Sequence, residues 1–329
     1  MTINGKPGTQ MHEKSGQAPG ILEVHTGRFC PLRCVFCYRR GATYERSDSP
    51  MLDDRLSAVL REFAALGGRE VWISGGLEPF SCPETTCRVM VEANRLGLRV
   101  RVYSNAVVPS LSSALVRTTV ATYAHQVRWS IHSITEKTFR AIERPSDPHM
   151  TLRRAIRNVE EIASVQPLPE VPRTGIGFLA LPGNVSELVL AAEFWRDRVD
   201  FFDVRADVLV DHSDHEAVRS AVALLRQAQQ AGRLGSLEIS VGEFLAGPPR
   251  FAPVCYAARK KVVVDPFGLV WVCCSLAHPG LRPPWARAGN LAEETLCTII
   301  ERIEARLPLP HCRKCCAGEA AMNLRIHRQ

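Results

Sequence analysis

From residue 21 the chain alternates short apolar runs with longer stretches in which apolar residues return every three or four positions. The short runs, over 20–26, 70–74, 99–104, 126–132, 174–179 and 201–208, have the length and the bounding turn residues of strands. The stretches between them read as helices. One covers 52–66, with Asp53 and Asp54 at its start and Gly67-Gly68 as its stop; a second covers 84–96. A third opens at Thr135, a good N-cap, and a fourth over 150–165 lines up Leu152, Ile156, Val159 and Ile162. Strand and helix in alternation predict an α/β fold with a mainly parallel sheet, whose ligand sites lie at the C-terminal ends of the strands.

After residue 208 the rhythm changes. A helix over 216–231 leads to two strands, 260–264 and 269–273, around the turn Asp265-Pro266-Phe267-Gly268, and then to a helix over 291–307. The chain thus divides into an arm at 1–20, rich in Gly, Pro, Lys and Gln and expected to be mobile; a main unit at 21–212; a linking helix and strand at 213–240; and an α+β unit at 241–329. With 46% hydrophobic residues in 329, a sizeable core is expected. No apolar run approaches the roughly 20 residues needed to span a bilayer, so no membrane partner is expected. Twelve cysteines without a signal peptide, grouped in ligand-like spacings, favour a reducing cytoplasm. The net charge of +7 comes from 41 basic and 34 acidic residues spread without a basic block. That argues against nucleic acid and keeps an anionic small-molecule substrate open.

Candidate chemistry begins directly after the first strand, at Cys30-x3-Cys34-x2-Cys37, with Phe36 beside the last cysteine. Three thiolates in one loop suit a soft metal or an iron-sulfur cluster, and no fourth ligand nearby completes a zinc site. A cubane held by three cysteines leaves one iron open to a chelating cofactor. The loop resembles the signature of the radical S-adenosylmethionine (radical SAM) enzymes, in which an aromatic residue near the adenine precedes the third cysteine. The resemblance implies that Cys30, Cys34 and Cys37 hold a 4Fe-4S cluster, that SAM binds its open iron, and that electrons from a flavodoxin or ferredoxin release a 5′-deoxyadenosyl radical. It also implies a partial (β/α)6 barrel. Gly75, Gly76 and Glu78 stand where the family carries Gly-Gly-Glu for the SAM amino group, although Gly75-Gly76-Leu77-Glu78 is one residue longer. By the same resemblance Phe36, Ser104, Ser130 and the backbone near Ile176 contact SAM, and Asn184-x-x-Glu187 begins the helix after the fifth strand.

Other side chains point toward a substrate. Ser130 and His132, two apart on a strand, are expected on one face, and so are Asp203, Arg205 and Asp207, which at a barrel mouth would bind a polar substrate. A second cysteine set, Cys255-x17-Cys273-Cys274 and Cys312-x2-Cys315-Cys316, resembles the short twitch form of the SPASM domain. That implies a second, auxiliary 4Fe-4S cluster on Cys255, Cys273, Cys312 and Cys315, with zinc as the competing occupant. Cys274, its side chain turned away from that cluster on an extended strand, is a candidate hydrogen-atom donor. Cys82, Cys87 and Cys297 read as incidental thiols. The overall resemblance is to small twitch enzymes of aminoglycoside biosynthesis. It implies hydrogen abstraction from a carbinol carbon of an amino sugar or aminocyclitol, followed either by oxidation, with His132 or Arg205 as base, or by epimerisation through Cys274. A SPASM-type peptide maturase and a non-catalytic, metal-stapled module are the alternatives.

Overall fold

The computed structural model describes residues 19–37, 53–74, 76–165, 173–206, 216–242, 245, 254–277, 283–309, 320, 322–324 and 326. All six expected strands form. They are β1 (Ile21–Val24), β2 (Glu70–Ile73), β3 (Arg99–Ser104), β4 (Gln126–Ser130), β5 (Arg173–Ala180) and β6 (Phe201–Ala206). Between them lie α1 (Asp53–Ala65), α2 (Pro83–Arg95), α3 (Ala114–Tyr123), α4 (Glu136–Ile142), α5 (Leu152–Ser164) and α6 (Leu188–Trp195). The chain continues through α7 (Glu216–Gln230), β7 (Glu238–Val241), β8 (Lys261–Val264), β9 (Leu269–Trp271), β10 (Arg287–Asn290) and α8 (Leu296–Ala305). Thr135 caps α4 by accepting from the Thr138 amide. Helix α3 has little signal in the sequence, because Thr118, Thr119 and Thr122 dilute the helical pattern, yet Val116 and Val120 are buried.

All ten strands join one open sheet in the order β10-β9-β8-β1-β2-β3-β4-β5-β6-β7. Neighbours from β8 through β1 to β7 pair in parallel, while β8-β9 and β9-β10 are antiparallel. The sequence suggested a C-terminal unit with a hairpin of its own. That hairpin forms as β8 and β9, and Lys261–Val264 also lies in register along Ile21–Val24, so it prolongs the main sheet. Helix α8 follows it onto α1, where Glu62 accepts from the amides of Leu296 and Cys297.

Alternation along the strands separates two faces. One, under the helices, is apolar apart from Ser104 and Thr174: Leu22, Val24, Val71, Ile73, Val100, Val102, Val127, Trp129, Ile176, Phe178, Phe202 and Val204 are all buried. Opposite it, in register, stand Glu23, Trp72, Arg101, Tyr103, Arg128, Ser130, Gly175, Gly177, Asp203 and Arg205, the concave inner face of a partial barrel. One expectation fails here. The Ile131 amide turns back to the Trp129 carbonyl, which ends the pleat of β4, so His132 leaves the strand and does not share a strand face with Ser130.

Candidate active site

The cysteine loop leaves β1 at its C-terminal end and is pinned from three sides. Gly27 lies against the Glu78 backbone so closely that a Cβ would meet the Glu78 carbonyl oxygen at 2.2 Å. Ser81 Oγ accepts from the Arg28 amide, and the Glu78 amide donates to the Phe29 carbonyl. On the far side the Arg33 amide reaches the Glu143 and Arg144 carbonyls, the Val35 amide reaches Ile142, and Ser146 bonds Pro31. From β3, Asn105 Nδ2 lies 3.5 Å from Cys30 Sγ. Among the described residues the non-glycine positions with positive φ are Ala106 at 63° and Arg144 at 49°, each next to a residue that touches this loop. Such conformations persist where the surroundings over-determine them, as at functional sites.

The three thiols are near enough to act on one another. Burial pushes Cys30 up to about 12, with Glu78 and Cys37 adding to the effect, and Cys34 rises through burial, Glu143, Cys37 and Cys30. Among the described residues no group of three His, Cys, Asp or Glu side chains is gathered around a single-ion position. Three thiols from one loop, with no fourth ligand beside them in the sequence, are the donor set of a cubane with one open iron rather than of a four-ligand zinc site. Asn105 supplies the kind of donor that tunes a cluster sulfur.

The residues expected to meet SAM divide. Phe36 is at the loop, its ring edge-on to His132 at 4.8 Å between centroids. Ser130 is half-buried on the inner face opposite Gly177, and its hydroxyl makes no hydrogen bond to the described residues. Gly76 packs on His25, where a Cβ would come within 2.8 Å of the His25 side chain. Gly75 lies outside the described residues, as do Asp207, Cys312, Cys315 and Cys316. Glu78 is buried beneath the site: Oε1 accepts from the Phe80 amide and Ser104 Oγ, and Oε2 accepts from the Asn105 amide. Burial lifts it to about 7 despite these bonds. Glu78 and Ser104 therefore build the floor that carries Asn105. The Ile176 side chain belongs to the apolar face, which leaves only its backbone toward the barrel interior.

Two of the expected bases do not fit that role. His132 Nδ1 accepts from the Leu179 amide at 3.0 Å, which fixes the neutral ring with its proton on Nε2. Burial and the Arg128 charge push its pKa down to about 3, so the ring is a brace between β5 and Phe36. Arg205 is a guanidinium, which carries donors and no acceptor, and its Nε donates to Asp203 Oδ2. Strand β9 ends at Trp271, so Cys274 lies in the turn after it and strand alternation does not set its direction; it is buried near Glu23, close enough that a thiolate there would raise the Glu23 pKa. Glu23 itself accepts from Ser74, His25 and the Lys261 ammonium. Asn105, Glu143, Arg128 and the Glu23–Lys261 pair join the site without standing out in the sequence. Their one signal was polarity inside apolar strands or directly after them.

The second cysteine set is half visible. Cys273 is buried, and Cys255 pairs with Leu309 through both backbone hydrogen bonds. Asn323 then takes the Tyr256 amide and donates to the Val254 carbonyl. The chain on either side of residues 310–319 is thus tied to the flanks of Cys255.

A family model described as the radical SAM superfamily matches residues 24–185, which run from the end of β1 past β5 and contain the cysteine loop. Residues 24–185 are a radical SAM domain. The family ties such a domain to SAM and an iron-sulfur cluster. Among curated proteins, dTDP-4-amino-4,6-dideoxy-D-glucose ammonia-lyase of Streptomyces venezuelae is 26% identical over 204 residues, which span 57% of this chain and 40% of the lyase. Among solved structures, Streptococcus suis SuiB bound to S-adenosylmethionine superposes with a TM-score of 0.65 at 16% identity, over 86% of this chain and 65% of SuiB. Native anSMEcpe with bound AdoMet gives 0.63 at 12% identity, over 86% of this chain and 82% of that one. At such identities the likeness is one of fold. Among the described residues no helix is long and apolar enough to cross a membrane.

Proposed function

We propose that this radical SAM enzyme abstracts hydrogen from a carbinol carbon of a small carbohydrate-like metabolite, an amino sugar or aminocyclitol, and oxidises or epimerises it. The observation that carries the reading is the combination of a braced three-cysteine loop at the C-terminal end of β1 with a polar inner face on the same sheet. A sugar offers hydroxyls to such a face and little apolar surface. The relative named as an ammonia-lyase of a dTDP-amino-sugar supports a carbohydrate substrate.

Cys30, Cys34 and Cys37 would hold the cluster, and Phe36, Gly75, Gly76, Ser130 and the Ile176 backbone would border SAM. Bound there, cluster and SAM supply a 5′-deoxyadenosyl radical. The protein's own residues hold and shield the reactants. Asn105 donates toward Cys30, Glu78 and Glu143 secure the loop from beneath, and His132 keeps Phe36 in place. An auxiliary 4Fe-4S cluster on Cys255, Cys273, Cys312 and Cys315 is supported by the ties that Leu309 and Asn323 make around Cys255. With His132 and Arg205 unsuited to act as bases, the candidate for the product-forming step is Cys274, whose thiol would return hydrogen to a substrate radical in an epimerisation.

Anaerobic reconstitution, iron counting and a 5′-deoxyadenosine assay test this. Two cubanes require about eight irons. The C30A/C34A/C37A variant should keep about four and cleave no SAM. Loss of all iron in that variant would remove the auxiliary cluster, and no SAM cleavage by the loaded wild type would remove the radical reading. Cys274→Ala should abolish solvent-hydrogen incorporation into product while 5′-deoxyadenosine still forms.

A further inference from the structure

The inner face carries four arginines along one cleft of about 140 Å³, lined by Arg101, Arg128, Arg173 and Arg205 together with Tyr103, Asp203, Glu238 and Ser240. Two of them are neutralised one to one: Arg101 by Glu70 at 3.0 Å and Arg173 by Glu238 at 2.5 Å. Arg128 and Arg205 instead share one carboxylate. Both meet Asp203 Oδ2, at 3.2 and 2.5 Å, while Oδ1 accepts from Ser240 Oγ. One positive charge in this part of the cleft is left without a counterion among the described residues.

The sequence goes to some length to bring these guanidiniums together. Arg128 starts on β4 and must cross β5 to reach Asp203 on β6. It does so over Gly177, where a Cβ would meet the Arg128 side chain at 3.0 Å. Its guanidinium lies on the Tyr103 ring at 4.4 Å, and its buried Nε has no hydrogen-bond partner among the described residues. Arg205, 38% exposed, spends only Nε on Asp203, which leaves its terminal nitrogens for another acceptor. Burial and the neighbouring Arg205 charge lower the Arg128 pKa, a strain that a second anion would relieve. Two adjacent guanidiniums with free donors are matched to a planar or tetrahedral oxyanion, which accepts several N–H bonds at once.

We infer that Arg128 and Arg205, held by Asp203, form a subsite for an oxyanion carried by the substrate, a phosphate ester or a carboxylate. The inference rests on the reading that the inner face receives the substrate, and it narrows the substrate to an anionic sugar derivative.

The test is anaerobic titration calorimetry of the full-length protein with glucose 1-phosphate, pyrophosphate and glucuronate as charged probes and glucose as the neutral one. At least one charged probe should bind about tenfold or more tighter than glucose, and whether it is phosphate or carboxylate identifies the source. Binding should weaken as salt rises from about 50 to 500 mM. Arg205→Gln, checked for an unchanged melting temperature, should lose about tenfold, with Arg205→Lys recovering part of it. Equal binding of glucose, salt-independent binding, undiminished binding in a folded Arg205→Gln, or no binding of any probe would each overturn the subsite. SAM cleavage by the unsubstituted protein without probe is read separately. Cleavage together with indifference to charge keeps the radical enzyme and removes only the anion site.

Discussion

Glu23 and Asp203 both stand on the inner face of the sheet, and each gathers cations and a serine hydroxyl. Around Glu23 the Lys261 ammonium, His25 and Ser74 are all buried, and Lys261 also lies over the Trp72 ring at 5.3 Å. Around Asp203 the partners are in excess, and one of them, Arg205, reaches the open cleft. The first cluster is closed and joins β1 to β8. The second has unspent donors and faces space. A buried cluster whose carboxylate and ammonium charges balance acts as a fastener, whereas one left short of an anion is suited to take a ligand.

Removing Lys261 should separate the two most sharply. Lys261→Met leaves Glu23 buried without its cation and should cost about 3–5 kcal/mol in urea unfolding, largely recovered in a Glu23→Leu, Lys261→Met double variant. A single variant of wild-type stability would end the distinction. Asp203→Ala should cost less, about 1–3 kcal/mol, because its arginines can turn toward water in the cleft.

The pH dependence sharpens the contrast further. Glu23 sits below its ordinary 4.5: burial, the largest influence, pushes it up, but the opposing Lys261 charge and the His25 contacts outweigh it. Asp203 sits below 3.8, where burial is likewise outweighed by Arg205 and Arg128. Both carboxylates bind protons less readily in the folded state, so their stabilisation is present above the ordinary values and is lost as pH falls through the folded ones. Acid unfolding should therefore steepen below about 4.5. In Lys261→Met, burial then dominates at Glu23, the sign reverses, and stability should decline as pH rises above about 4.5. The smallest expected effect is that of Arg205→Gln on stability, within about 0.5 kcal/mol, since a partly exposed ion pair contributes little. A large loss there would make Arg205 a fastener as well.

Much of this was legible in the chain. Strand spacing, the Thr135 cap and the hairpin turn at Asp265 are local properties, set by periodicity and by side chains that bond their own backbone. Gly268 takes φ 81° in that turn, and Asp265 Oδ1 accepts from the Phe267 and Leu269 amides. The residues missed depend on partners far along the chain. Nothing near Arg128 announces that Gly177 will clear a path to Asp203, or that Glu143 will receive the His132 amide. His132 could be read either as a base or as a brace, and the Leu179 amide on its Nδ1 decides for the brace. Asn105 adjoins a strand end already singled out, yet only the approach of Cys30 gives it a purpose.

The pairing of β8 with β1 also bears on how the molecule is assembled. Ile21 is matched to Lys261, a sequence separation of 240 residues, while its other neighbour, Glu70, lies only 49 away. The strand that delivers the cysteine loop thus has one edge closed early and the other closed by a contact of very high order, among the slowest kinds to form. A nascent chain emerging from the ribosome carries that open edge, with Glu23 uncompensated, until the hairpin arrives. Chains halted near residue 242 should consequently be prone to edge-to-edge association, and iron delivered before the hairpin docks would meet an unfinished loop.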